Sequence, residues 1–241
     1  MVHAPTGRPL HPTPRFVFLL VAAALLAAGC GVSDYAGHMS SEAALLRMWK
    51  EEEDVLGEPL RMPEFPKKDG KDQQTWNVFL RPPHGVNEKP TAQQNSKLTQ
   101  FFGPLAQYAA KSNRFGIQNV YLGVGTDPKE FPSAVYGQFG ASREGESAVT
   151  IPRSPVLLSG AGKELKPEIV VKRKVYDGPS YYSFNFYDRG KVQVAVVFQL
   201  DKASAAKARD AIEKSLSTLG EGSGEAPVLR SAYLSRNRKT K

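Results

Sequence analysis

The chain of 241 residues is poor in the side chains that build covalent and metal chemistry: it has one cysteine, four histidines and two tryptophans. A single thiol, Cys30, rules out an internal disulfide. Past Cys30 only His38 and His84 remain, so a zinc site of the nitrogen–sulfur kind is poorly supplied, and no metal or cofactor is expected. A long apolar run is missing too. Phe16–Ala28 gives 13 apolar residues in a row, short of the roughly 20 that a membrane-spanning helix needs. Uncharged residues continue to Ser33, which leaves an uncleaved anchor as the alternative.

Acidic residues are absent from residues 1–29, where Arg8 and Arg15 precede the apolar run. A positive start, a short apolar core and small residues at its end are the three parts of a secretory signal peptide. The formal net charge of +8 is unevenly spread. Residues 30–66 carry 3 basic and 8 acidic side chains, whereas residues 67–241 carry 27 basic and 16 acidic. Arg230, Arg236, Arg238, Lys239 and Lys241 close the chain without an acid among them. Such asymmetry is compatible with an anionic partner, an acidic polymer or lipid headgroups, or with a plain solvated surface. Nucleic acid is not expected for an exported chain.

The end of the apolar segment, Leu26-Ala27-Ala28-Gly29-Cys30, resembles the lipobox of bacterial lipoprotein signal peptides. Ala27 stands where leucine is commonest in that family, and Leu26 sits one step early. The resemblance implies cleavage before Cys30, a diacylglyceryl group on its thiol, and further acylation of the freed amine by a chain such as palmitate. Two or three acyl chains, at about 0.8 kcal/mol per buried methylene, hold a protein on a membrane stably. Gly31 follows the cysteine. The family's inner-membrane retention signal, an aspartate, is absent there, which favours the outer membrane.

Beyond the anchor the composition is globular, with 41% hydrophobic and 23% charged residues. The expected organisation is a signal peptide over 1–29, a tether, acidic helix and proline-rich linker over 30–73, one α+β domain over 74–234, and a basic tail over 235–241. Gly31–Met39 reads as the tether and Glu42–Leu56 as a helix with Leu45, Trp49 and Leu56 at helical spacing. Pro59, Pro63 and Pro66 mark the linker. Thr75–Arg81, Lys97–Phe102 and Ile117–Val124 read as strands, and Asp127-Pro128-Lys129-Glu130 as a helix start.

Glu168–Leu219 is the clearest stretch. Glu168–Tyr176 reads as a strand, followed by a hairpin of Tyr181–Tyr187 and Lys191–Leu200 around Asp188-Arg189-Gly190. Tyr182, Phe184 and Phe186 are expected on the core face with Val192, Val194, Val196, Phe198 and Leu200. Asp201 reads as the cap of a helix Lys202–Leu219, with Ala205, Ala208, Ile212, Leu216 and Leu219 as its stripe and Gly220 as its stop. Antiparallel strands with a closing helix give the α+β class. This order of elements over residues 74–220 resembles the PsbP-like fold. Members of that family mostly bind, scaffold or assist other proteins, and no shared catalytic residue carries over.

Catalytic motifs fail one by one. Gly123-Val124-Gly125 has Pro128 where a dinucleotide fingerprint needs its third glycine, and Gly160-Ala161-Gly162-Lys163 runs into Glu164 where a phosphate loop needs serine or threonine. Ser204-Ala205-Ala206-Lys207 lacks the partner motifs of penicillin-recognising enzymes. A hydrolase would have to use His84 in "RPPHGVNEK", without a serine elbow. The expected partner surface is the second face of the hairpin, with Tyr181, Ser183, Asn185, Tyr187, Gln193 and Gln199 beside Lys172, Arg173 and Lys174. Amides and aromatics near cations suit a sugar, a peptide strand or an anionic headgroup. The competing reading is a solvated sheet face, or one covered by 42–56 or 142–166. The expectation is thus a membrane-anchored envelope lipoprotein, non-enzymatic, binding or scaffolding an envelope protein or anionic polymer. The alternatives are a His84 hydrolase and a purely structural envelope protein.

Overall fold

The computed structural model describes residues 35–61, 78–87, 89–92, 105–111, 114–160, 166–190 and 192–221. Cys30 and the segment before it, the expected strand Lys97–Phe102 and the basic tail lie outside the described residues. The chain divides into two units, residues 1–47 and 48–241. In the first, helix α1 begins at residue 35, inside the stretch expected to be a tether, with Tyr35 and Met39 exposed. α1 ends at residue 53, in the second unit, where Trp49 is buried. Among the described residues no helix is long and apolar enough to cross a membrane.

The second unit is α+β. Its elements are β1 Leu60–Arg61, β2 Val78–Leu80, β3 Thr91–Ala92, β4 Ala106–Ala109, β5 Ile117–Gly125, α2 Glu130–Gln138, β6 Ser147–Pro152 and α3 Pro155–Gly160. They continue with β7 Glu168–Asp177, β8 Tyr181–Asp188, β9 Gln193–Leu200, α4 Ala205–Ser217 and β10 Gly220–Glu221. Seven strands form an antiparallel sheet in the order β3-β4-β5-β9-β8-β7-β6. A second sheet holds β2 between β1 and β10.

Both faces of the large sheet are covered. On one, Val120, Leu122, Val194, Val196 and Phe198 pack with Ala208, Ile212 and Leu216 of α4 and with Leu60, Val78 and Leu80 of the small sheet. On the other, Phe184, Phe186, Ala195 and Val197 pack with Phe131, Val135 and Tyr136 of α2. Double coverage is why β9 carries an unbroken apolar run, Val194–Phe198, rather than alternating. Each aromatic taken out of water here stabilises the fold by about 1.5–3 kcal/mol.

The register corrects the expected hairpin. Phe184 stands opposite Val197 and Phe186 opposite Ala195, whereas Tyr187 stands opposite Val194 and Asn185 opposite Val196. Tyr182, Phe184 and Phe186 therefore lie on the face away from Val194, Val196 and Phe198. The connection spans residues 189–192 between Asp188 and Gln193, and Gly190 takes its left-handed conformation at φ 76°.

Two helices differ at their ends. Asp127 does serve α2, its Oδ1 accepting from the N–H groups of Lys129 and Glu130. Pro132 is tolerated because it falls in the first turn, whose N–H groups have no partner within the helix. A 3-10 turn, Lys202–Ser204, precedes α4. The helix ends at Ser217, and Gly220 opens β10 opposite Phe79 instead of acting as the stop. The stretch 142–166 contributes β6 and α3.

Candidate functional site

The residues expected on one binding face are distributed over both faces of the sheet. Tyr181, Ser183, Asn185 and Tyr187 share the α4 side with Phe198 and Val194. Gln193 and Gln199 lie on the α2 side, opposite Asp188 and Tyr182. Ser183, Asn185 and Gln193 are buried. Asn185 is an internal link, its Nδ2 donating to the carbonyls of Ser183 and Val196 and its Oδ1 accepting from Arg173 Nε. Arg173 then reaches α4 through Nη1 to Glu213 Oε1 at 2.8 Å. Lys174 donates to the carbonyls of Ser142 and Glu144. Lys172, paired with Phe186 on the α2 side, is half-buried.

Gln199 is half-buried, as are Tyr181 and Tyr187, and it gathers the most side-chain partners. Its Oε1 accepts from Asn119 Nδ2 and Tyr121 Oη, and its Nε2 donates to Ser180 Oγ. Asn119 Oδ1 in turn accepts from Gln107 Nε2 at 2.8 Å. Across the strands this amide row meets Tyr182, opposite Gln199, and then Tyr176, opposite Tyr182, with the two tyrosine rings 17° from parallel. Burial, together with the neighbouring Tyr182, pushes the Tyr121 hydroxyl up to about 12, so it is a neutral donor throughout the physiological range. The row is therefore uncharged and held in one hydrogen-bonding pattern.

A second polar cluster had no signature in residue spacing. Glu52 near the end of α1 accepts from Ser154 Oγ on Oε1, and its Oε2 lies 3.6 Å from Arg81 Nη1. Arg81 also donates from Nε and Nη2 to the carbonyls of Gly57 and Leu56. Its own N–H and carbonyl bond to Thr218 and Ser215 at the end of α4. Next to Ser154, Arg153 donates to the Leu219 carbonyl and to Tyr187 Oη. Burial pushes the Glu52 carboxyl up, with Ser154 and Arg81 pulling the other way. It pulls the Arg81 guanidinium down, against Glu52, Glu53 and Glu58. The cluster fastens 48–57 to the domain, and the sequence offered no clue because its members come from four distant stretches.

His84 lies on an exposed turn. Its Nε2 meets the Glu53 carbonyl and its backbone N–H bonds to the Val55 carbonyl. Ser154 donates directly to Glu52 and accepts from the Leu157 N–H, as the cap of α3. Among the described residues, no group of three or more His, Cys, Asp or Glu side chains is placed to hold a metal. In comparison with known proteins, the chain matches no family model and no curated protein.

Proposed function

We propose that this protein is a lipoprotein of the bacterial cell envelope, held on a membrane through Cys30, whose α+β domain binds or scaffolds a partner without catalysing a reaction. The observation that carries the anchoring arrangement is the docking of residues 48–57: Trp49 and Leu56 are buried and Glu52 is tied to Arg81 and Ser154. Trp49, 19 residues after Cys30 in the sequence, is thus already part of the domain. The lipobox resemblance supports the anchor, and the PsbP-like resemblance supports the binding role.

For the partner surface, the half-exposed row Asn119, Gln199, Tyr182 and Tyr176 replaces the single hairpin face expected from sequence. Uncharged amides next to aromatic rings suit a hydroxyl-rich or peptide partner better than an anion. The His84 hydrolase draws no support from the direction of its Nε2, which faces a backbone carbonyl.

The test is the intact mass of the protein extracted gently from its own membranes. The expected mass is that of residues 30–241 plus acyl chains, and Cys30→Ser should abolish both the added mass and membrane retention. A chain still beginning at Met1 and lacking acyl groups would overturn the lipoprotein reading. Loss of turnover in His84→Ala, on any envelope substrate, would overturn the non-enzymatic one.

A further inference from the structure

The large sheet ends in two unlike edges. At one end β3 has only two residues; at the other β6 has six, pairing with β7 in unbroken register from Ser147–Arg173 to Pro152–Glu168. Among the described residues, no strand pairs with the outer side of β6. Proteins blunt an open edge with charged side chains, a bulge or an interior proline. β6 has none of these: it reads Ser-Ala-Val-Thr-Ile, and its proline is the last residue. One strand inward, opposite Thr150, Val170 is 55% exposed. An unprotected edge backed by an exposed valine is a template for another strand.

We propose that β6 pairs with β6 of a second copy of this chain, antiparallel about a two-fold axis through Val149 and normal to the sheet. Such an axis keeps each face of the sheet continuous, so residues of like parity must oppose each other. Val149 then meets Val149, Ala148 meets Thr150 and Ser147 meets Ile151. Every pair is apolar or small, and no like charges are set against each other. The antiparallel sense also carries the exposed Glu144, before β6, toward the exposed Lys166, before β7, of the second copy. Pro152 has no N–H to offer and stops the ladder at the strand end. Because the same edge is used by both copies, the assembly closes as a dimer and does not grow into a filament. Six residues of edge bury less than a standard interface, so the dimer is weak.

Register-specific cross-linking in native membranes tests this, with the full chain carrying Val149→Cys or Thr150→Cys and the parent chain, with Cys30 alone, as background. After mild oxidation, Val149→Cys should give a covalent dimer on the order of tenfold more abundant than Thr150→Cys, whose sulfurs lie two residues out of register and too far apart to bridge. No dimer above background from Val149→Cys, equal dimer from both variants, or linkage to a different protein would each overturn the proposal. Independently of the cysteines, sedimentation of the purified protein should show a dimer that the exposed substitution Thr150→Lys shifts to monomer by about tenfold in concentration. A parent protein that stays monomeric up to millimolar concentration would also overturn it.

Discussion

Arg81 Nη1 lies 3.6 Å from Glu52 Oε2, and the two side chains are only 6% and 11% exposed. An ion pair so deep is costly to bring out of water, and costlier still to break once buried. Removing the carboxylate leaves Arg81 charged among the carbonyls of Leu56 and Gly57. Glu52→Ala should therefore cost about 3–5 kcal/mol in urea unfolding, well above the cost of truncating an exposed glutamate.

The same carboxyl sets a pH dependence. Burial raises its folded-state pKa above the ordinary value of 4.5, so the folded protein holds the proton more tightly than the unfolded chain does. The part of Glu52's contribution that depends on its holding a proton is fully present below pH 4.5 and is lost as pH rises through its folded value, the pairing with Arg81 remaining above it. Asp127 runs the other way. The N–H groups of Glu130 and Lys129 lower its pKa, so its contribution is present above its ordinary value and fades on acidification. In Glu52→Gln, thermal unfolding followed across pH should lose the part of the slope that lies above pH 4.5 and keep the acid limb. An unchanged profile would show that Glu52 is not the titrating group.

Two glycines of β5 separate a rigid close approach from a soft one. A Cβ at Gly125 would meet Phe131 Cγ at 2.2 Å, at the root of a ring packed under α2. At Gly123 it would meet Leu105 Cδ2 at 2.2 Å, the tip of a flexible side chain. Gly125→Ala should cost about 1–3 kcal/mol or more by overpacking, and Gly123→Ala distinctly less, as compared by denaturant midpoints.

Several elements were legible because local chemistry decides them. β7, β8 and β9 follow from β-branched and aromatic residues, and Asp127 marks the start of α2 by its hydrogen bonds to Lys129 and Glu130. What the sequence hid was which side faces what. Tyr182, Phe184 and Phe186 alternate as clearly as Val194, Val196 and Phe198 do, but an apolar alternation says only that a face is buried, and here both are. The register across residues 189–192 decides the rest. A four-residue connection in place of three shifts which residues face each other and turns every partner over. The start of α4 was misplaced because Asp201 looks like a cap although its side chain caps no helical N–H. The Glu52–Arg81–Ser154 cluster was invisible for a different reason, since tertiary folding alone brings its residues together.

The hydrogen bond from the Arg81 N–H to Thr218 joins residues 137 apart in the chain, and β10, at Gly220–Glu221, completes the small sheet beside β2. A ribosome must release the chain through Thr218 before this seam can close. Until then β2 is paired on one side only, with β1. Long-range closure of this kind slows folding. For this domain, that slowness has a plain consequence: the seam forms only after residues 215–221 have joined it.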